Sequence, residues 1–317
     1  MAMVEFEEAY SQYLETQPPS FPTLSYHRLH ALLVDCTKTS VVKCTSGCFG
    51  CDDNFFPVLR KEVAAVSRYF NTRVRWLLRI HLASGVTKCI LHIKSKHARD
   101  YLAMIQEGQR LVKHVSMTTL ATRQLLEKYD KVHTSREGSK FRTWLMAVHV
   151  EALQSPWLVE LLALYFNLKL NKARSTVPEI CPGSTCDLQS GKPMLSCLLH
   201  ETLRLEVDVT CSICLEIVYE PVALNCGHIF CFKCACCAAS VSTVNGFKKA
   251  KKCAKCPLCR EPGVFSNAFH LRELEILVNR SCKDYCKKRL QKERKEHLKQ
   301  KDSWSYRPPG LASYGMV

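Results

Sequence analysis

The stretch CGHIFCFKCACC, residues 226–237, carries five cysteines and one histidine within twelve residues. So dense a set of thiol and imidazole side chains is typical of a metal site, a redox centre or a group of disulfide bridges. The choice among these three depends on the redox compartment and on the spacing of the neighbouring cysteines.

The beginning of the chain, MAMVEFEEAYSQYLET, lacks the charged leader, apolar run and cleavage site of a signal peptide. We therefore expect an intracellular protein, in the cytoplasm, the nucleus or both, where clustered cysteines in reducing conditions favour zinc over disulfides. The longest apolar stretch, residues 156–170, contains Glu160 and Lys169. It is shorter than the roughly 20 residues that cross a bilayer, so it predicts a buried helix, and recruitment to the plasma membrane would require partners or a basic segment.

Helical periodicity dominates residues 1–170 and predicts a mainly α bundle. Two members are unusually long: residues 56–82, with Pro57 in the first turn, and residues 98–133. Residues 171–207 are rich in Pro, Gly, Ser and Thr and predict a linker, although residues 203–209 alternate as a short strand. A small zinc domain is expected at 208–262 and a basic helical tail at 263–317.

Cysteine spacing from residue 211 onward indicates two tetrahedral metal sites. Three Cys-x2-Cys pairs and one Cys-x-His supply eight ligands: Cys211, Cys214, Cys226, His228, Cys231, Cys234, Cys256 and Cys259. The segment CAKCPLC also allows Cys253 to pair with Cys256, whereas Cys236 and Cys237 follow Cys234 too closely to share its site and are interpreted as spare thiols. A rubredoxin-like or ribbon site is the alternative arrangement.

This ligand order resembles the RING finger, whose two zinc sites interleave in a cross-brace. The resemblance implies that Cys211, Cys214, Cys231 and Cys234 hold one structural Zn2+ and that Cys226, His228, Cys256 and Cys259 hold the other. It also implies roles for three residues beside the ligands: Ile213 and Pro257 would pack on a ubiquitin-conjugating enzyme, and Arg260 would be the linchpin that hydrogen-bonds that enzyme and its thioester-linked ubiquitin. Ala238 stands where some RING fingers carry a bulky aromatic.

Further segments extend the resemblance over nearly the whole chain. IHLASGVTKC (80–89), IQEGQRLV (105–112), ALQSPWLVELLALYFNL (152–168) and DVTCSICL (208–215) are similar to the plant SPX-RING ubiquitin ligases of the nitrogen-limitation-adaptation or benzoic-acid-hypersensitive type. In that family an N-terminal SPX helical domain senses inositol polyphosphates, and the RING marks phosphate or nitrate transporters for degradation.

The polyphosphate site of that family maps onto two segments of this chain. Tyr26, Arg28, Lys128 and Lys131 are the candidate ligand residues. His30, Gln124 and Glu127 stand where the family has lysines, so we expect weakened affinity for inositol polyphosphate. The alternative interpretation of these residues is an exposed polar helix face.

Two other features remain open. Cys36, Cys44, Cys48 and Cys51 either form a third zinc site or are spare thiols. Residues 248–301 hold 17 Lys/Arg against 6 Asp/Glu, an excess of 11 in a chain of net charge +16. This basic segment could bind an acidic partner, an anionic membrane or nucleic acid, or form a solvated helix that extends the RING, and its lysines 248–252 could accept ubiquitin.

The sequence therefore predicts a RING-type E3 ubiquitin ligase without a covalent ubiquitin intermediate. Its partners would be a conjugating enzyme, ubiquitin and a protein substrate, by family a membrane transporter. The alternative is a non-catalytic SPX-type adaptor whose RING is only a zinc scaffold, and nucleic-acid binding is a weaker third hypothesis.

Overall fold

Long helices build the N-terminal half in the computed structural model. The structure describes residues 3–39, 49–82, 101–133, 138–141, 143, 155–170, 179–181, 183–189, 191–200 and 203–305. The helices of this half are α1 (Met3–Glu15), α2 (Tyr26–Thr39), α3 (Phe49–Leu82), α4 (Tyr101–Val132) and α5 (Pro156–Lys169). None of the helices in these ranges is long and apolar enough to span a membrane.

Helix α3 begins earlier than the sequence predicted. Pro57 was expected in the first turn, but the helix starts at Phe49 and Pro57 lies inside it. Proline removes one backbone donor and crowds the preceding turn, which costs least where the helix faces solvent. The Pro57 side chain is exposed, so the proline lies on the solvent-facing side of the helix.

A three-stranded antiparallel sheet occupies much of the range that the sequence analysis interpreted as a linker. Its strands are β1 (Thr185–Asp187), β2 (Met194–His200) and β3 (Leu203–Asp208), in the order β1-β2-β3. Leu195, Cys197 and Leu205 are all buried, and Cys197 pairs with Leu205 across β2 and β3. The strand predicted near 203–209 is confirmed, and its partner strands attach this segment to the core.

The zinc region contains short elements. Strands β4 (Pro221–Ala223), β5 (Ile229–Cys231) and β6 (Phe269–His270) form an antiparallel sheet in the order β5-β4-β6. Helix α6 (Phe232–Ala238) follows β5 directly, and a 3-10 turn spans Gly246–Lys249. Helices α7 (Arg272–Ser281) and α8 (Lys283–Ser305) complete the described chain.

One hydrophobic core runs from the long helices into the zinc region. It includes Val74 of α3, Leu161 of α5, Leu205 of β3, Phe230 of β5 and Leu274 of α7. A second aromatic cluster packs α1 and α2 on the first part of α3 and the last part of α4. Because the first core is continuous, the helical half and the zinc region are packed as one body.

Helix α5 is buried along nearly its whole length, as its apolar sequence predicted, and its polar residues hold α7. The Glu160 carboxyl group accepts hydrogen bonds from the backbone N–H groups of Glu273 and Leu274, both at 2.9 Å. Two turns later, Asn167 donates from Nδ2 to the backbone carbonyl and to the carboxylate of Glu273, both at 2.8 Å. Glu160 thus satisfies amides at the N-terminus of α7, which otherwise have no partner within the helix.

An aromatic contact adds to this junction. The rings of Trp157 in α5 and Phe269 in β6 stack with centroids 4.1 Å apart and an interplanar angle of 4°.

Burial raises the pKa of Glu160 from 4.5 to about 8. The hydrogen bonds from the α7 amides act in the opposite direction, because they favour the charged form. The side chain is therefore mostly protonated at neutral pH.

Replacing Glu160 should weaken the junction measurably. Glu160→Ala leaves two buried amides at the start of α7 unpaired, and we expect the free energy of unfolding to fall by about 2 kcal/mol. Urea denaturation followed by circular dichroism measures the change. Lys169→Ala, on the exposed end of the same helix, is the matched control and should change the free energy of unfolding by less than about 0.5 kcal/mol.

The same residue predicts a pH dependence of stability. Between the unfolded pKa of 4.5 and the folded pKa of about 8 the folded state holds a proton that the unfolded state releases. The Glu160 contribution to the free energy of unfolding is therefore fully present at pH 4.5 and below, and is lost as pH rises toward 8. Glu160→Gln should flatten this slope. Equal slopes for the two proteins between those pH values would contradict the raised pKa.

Candidate metal centres

The first group of ligands is formed by side chains far apart in the sequence. It consists of Cys211, Cys214, Cys231 and Cys234, whose sulfur atoms all lie within 4.8 Å of one another. The Sγ atoms of Cys214 and Cys231 are 3.7 Å apart. Two sulfurs on one zinc, each about 2.3 Å from the ion, would be separated by roughly 3.8 Å, so the geometry fits tetrahedral zinc.

The second group combines three thiols with an imidazole. Cys226, His228, Cys256 and Cys259 again lie within 4.8 Å by their ligand atoms, with His228 Nδ1 3.5 Å from Cys226 Sγ and 3.7 Å from Cys256 Sγ. Gly227 has a φ of +84°, a left-handed conformation that glycine adopts without steric cost. That turn lets Cys226 and His228 face the same point although one residue separates them.

The two groups alternate along the chain, which is the cross-brace expected from the sequence. All eight predicted ligands are present, and the two tetrads are suited to two zinc ions. Each tetrad uses four protein ligands, so a zinc ion bound there would have no open position for water or substrate, and its role is structural.

The two Cys-x2-Cys loops at Cys211 and Cys256 have the same backbone geometry. In the first, Cys211 accepts from the N–H of Leu215 at 2.7 Å, and in the second, Cys256 accepts from the N–H of Arg260 at 3.0 Å. Leu215 and Arg260 have φ values of +58° and +60°. A non-glycine residue in this region costs about 1 kcal/mol or more, so each loop holds its fifth residue against the usual backbone preference.

Backbone N–H groups and neighbouring thiols support the ligand sulfurs. Tyr219 donates its N–H to Cys231 Sγ at 3.3 Å, and Cys231 donates its own to Cys211 Sγ at 3.5 Å. Hydrogen bonding from the Cys226 thiol lowers the pKa of Cys256 to about 3, and bonding from Cys231 lowers that of Cys211. Each tetrad therefore favours at least one thiolate, the form that binds metal.

The surface beside the two loops is apolar. Ile213 is 41% exposed, and Pro257 and Arg260 are exposed as well. Two residues that the sequence analysis did not single out are also exposed: Leu215 at 78% and Leu258 at 50%. The signal that could have identified them is their position, since each stands next to a zinc ligand in a loop too short to bury an apolar side chain.

The remaining cysteines of the zinc region stand apart from both tetrads. Cys236 is buried in α6, and Cys237 and Cys253 are exposed. Neither tetrad includes them, so the choice of Cys256 with Cys259 over Cys253 with Cys256 agrees with the geometry. Ala238 lies exposed at the end of α6. The proposed third cluster falls outside the described residues, because Cys44 and Cys48 and the side chains of Cys36 and Cys51 are not described.

The basic helix α8 packs against the first of the two Cys-x2-Cys loops, residues 211–215 and 256–260, which are called the zinc loops below. Tyr285 donates its hydroxyl to the carbonyl of Ile217 at 2.6 Å. Arg289 is only 8% exposed and forms ion pairs with Glu216, beside the loop, and with Glu293 on its own helix. The first turns of α8 are therefore part of the zinc domain, and this packing favours the helix that extends the RING over a detached basic tail.

Residues predicted to bind polyphosphate lie on α2 and α4, where Tyr26 and Lys128 both contact His30. Tyr26 is buried, stacks on His30 with centroids 5.8 Å apart, and donates its hydroxyl to Gln124 at 3.3 Å. Lys128 forms a hydrogen bond with His30. Arg28 and Lys131 are exposed.

An acidic residue of α1 completes this group. His27 donates to Glu7 at 2.9 Å, and His30 Nδ1 lies 3.8 Å from the same carboxylate. Burial and the neighbouring Lys128 lower the pKa of His30, which favours its neutral form. The negative charge of Glu7 therefore stands beside the lysine that a polyanion would need.

Comparisons with known proteins agree with this geometry. A RING-type zinc-finger family model matches residues 211–257. The chain is 40% identical to the E3 ubiquitin-protein ligase NLA of Arabidopsis thaliana over 96% of this chain and 98% of that protein. It is 40% identical to a probable E3 ubiquitin-protein ligase BAH1-like 1 of Oryza sativa subsp. indica, over 95% and 97% of the two chains. A probable E3 ubiquitin-protein ligase BAH1-like of Arabidopsis thaliana is 35% identical over 98% of this chain and its own full length. No solved structure matches.

Metal content tests the two tetrads directly. We expect two zinc ions per chain in the purified protein, measured by inductively coupled plasma mass spectrometry. Cys259→Ala should reduce that content by about one ion, because three ligands bind zinc far more weakly than four. The matched control Cys237→Ala removes an exposed thiol outside both tetrads and should leave the content unchanged.

A zinc content other than two ions per chain would show which part of this ligand assignment is wrong. Three ions per chain would support the separate cluster at Cys36, Cys44, Cys48 and Cys51. Fewer than two in the wild-type protein, with no loss in Cys259→Ala, would contradict the second tetrad.

Proposed function

Since the chain belongs to the family of plant NLA and BAH1-like E3 ubiquitin-protein ligases, we propose that it binds a ubiquitin-conjugating enzyme on the two exposed zinc loops and orients its thioester-linked ubiquitin. A RING-type E3 ubiquitin transferase of this kind works with a conjugating enzyme, ubiquitin and a protein substrate. The observation that carries the proposal is the exposed apolar surface at Ile213, Pro257 and Leu258, next to Arg260.

Zinc, when bound, would supply the folding energy of the zinc loops. The loops themselves would act by presenting side chains to the conjugating enzyme. Ile213 and Pro257, with Leu215 and Leu258, would contact the conjugating enzyme. Arg260 has several N–H donors on a planar group, so it can hydrogen-bond the enzyme and the donor ubiquitin at once. Holding a flexible thioester close to the attacking lysine raises the rate by orientation, without a covalent intermediate on this chain.

We further propose that the helical half selects the substrate. By its resemblance to SPX domains, this half would recruit a phosphate or nitrate transporter or respond to phosphate status. The continuous core between α5, the three-stranded sheet and α7 supports the idea, because a substrate bound to the helices would be held at a fixed position relative to the zinc loops.

Inositol polyphosphate would bind this half only weakly. A polyphosphate needs several converging cations, and each missing one removes a charge-assisted hydrogen bond. Lys128 hydrogen-bonds His30, whose pKa is lowered by burial, and His30 in turn lies 3.8 Å from the carboxyl group of Glu7. Glu127 is exposed one residue away. These contacts support a role in protein recognition more than in polyphosphate sensing.

Ubiquitin-chain formation with purified activating and conjugating enzymes tests the ligase function. Ile213→Ala and Arg260→Ala should each lower the rate of chain formation by roughly tenfold or more, because they remove enzyme contact and donor orientation respectively. The controls are Leu290→Ala and Arg294→Ala on α8, which shorten an exposed leucine and an exposed arginine away from the zinc loops.

Absence of chains across a panel of conjugating enzymes, with the protein folded and zinc-loaded, would refute the ligase function. It would favour instead the adaptor in which the RING is only a scaffold. Equal rates for Arg260→Ala and the wild type would remove Arg260 from the proposed mechanism.

Isothermal titration calorimetry with inositol hexakisphosphate tests the helical half. The wild type should bind weakly, and the double variant Glu7→Gln/Glu127→Lys should bind about tenfold more tightly or better, since it replaces repulsion by attraction. Glu206→Lys on β3 reverses one charge, as Glu127→Lys does, but away from these helices, and it should have no effect. Tight binding by the wild type that the double variant does not improve would contradict the expectation.

A further inference from the structure

A basic cleft lies at the junction between the helical half and the zinc region. It has a volume of about 400 Å3 and is lined by residues of α3 and α5, the end of β6 and the start of α7. Its arginines are Arg75 and Arg79 of α3 and Arg272 of α7, all exposed. The cleft is separate from the zinc loops and from the group around Lys128.

The charge in the cleft is poorly compensated. Arg75 and Arg79 form no ion pair with a carboxylate in the described part of the chain, and Arg272 has only a long contact of 3.6 Å to Glu275 on its own helix. Glu160 is the acidic residue of the lining, and its carboxyl is buried and engaged by the α7 amides. The cleft therefore presents three guanidinium groups to a ligand with little competition from its own acids.

Two tryptophans also line the cleft. Trp76 and Trp157 are half-buried in the lining, and the Arg75 guanidinium lies 5.8 Å from the centre of the Trp157 ring. Arginine and tryptophan are enriched at the centres of protein–protein interfaces, where lysine is depleted. No lysine among the described residues lines this cleft, although the chain is rich in lysine elsewhere.

We infer that this cleft binds an acidic peptide segment of the protein substrate, with carboxylates on the arginines and an apolar side chain beside the half-buried tryptophans. Arg75 and Arg79 are one helical turn apart, so they can meet carboxylates that are close together in an extended peptide, and Arg272 adds a third guanidinium from a different helix. A peptide with several carboxylates can meet donors that come from two helices. This inference rests on the proposed ligase function and names the substrate class.

Fluorescence polarisation on the full zinc-loaded chain tests the inference. The probe is a fluorescein-labelled peptide of alternating Glu and Phe with one terminal Lys, and the reference peptide has Gln in place of Glu. We expect binding of the Glu peptide that weakens with salt, and loss of roughly tenfold or more in affinity in Arg75→Glu/Arg79→Glu. Arg272→Glu, on α7, should also weaken binding. Arg68→Glu, an exposed arginine of α3 outside the lining, should not.

The outcomes separate this inference from the ligase function. Ubiquitin transfer to the peptide lysine should fall in Arg75→Glu/Arg79→Glu while free-chain formation, which needs only the zinc loops, stays at the wild-type rate. Equal binding of the Gln peptide, or binding unaffected in both arginine variants, would overturn the inference and leave the ligase function intact. Tight binding of inorganic phosphate that the double variant abolishes would overturn it in favour of a small phosphate ligand.

Discussion

Tetrahedral coordination by residues that are distant in sequence is the constraint on which this structure depends. Cys211 and Cys234 belong to the same tetrad, and the segment between them supplies Cys226 and His228 to the other. The four ligands of one ion can therefore come together only if the chain between them folds around the second site. The strands and helix of the zinc region are too short to hold this arrangement by themselves, since a two-residue or three-residue strand buries little apolar surface.

Packing outside the tetrads is what joins this small domain to the rest of the molecule. The hydrophobic core passes from the long helices through the three-stranded sheet to β5 and α7 without interruption. Glu160 and Asn167, two polar residues on an otherwise apolar helix, add directed hydrogen bonds to the N-terminus of α7. These bonds have a set direction and length, so they favour one docking geometry, whereas apolar contacts alone would allow several.

The parts of the structure that could be read from the sequence are those set by local rules. Ligand spacing identified all eight metal residues because zinc requires particular side chains at particular separations, and helical periodicity identified the long helices and buried α5. Features that depend on contacts between distant parts of the chain could not be predicted from the sequence. The strand Met194–His200 has little β-branched character and is held by its pairing with Leu203–Asp208. The buried role of Glu160 depends on a helix more than a hundred residues away. The exposure of Leu215 follows from a left-handed backbone that only the closed zinc loop imposes.

The continuous core also sets the reach of the ligase. If a substrate is held on the helices, as proposed above, the core shared by α5 and α7 sets the distance and direction from that substrate to the zinc loops. A lysine in a bound substrate would be modified only if it can span that fixed separation. Selection among lysines would then come from the rigidity of the scaffold more than from any recognition of the residues around each acceptor.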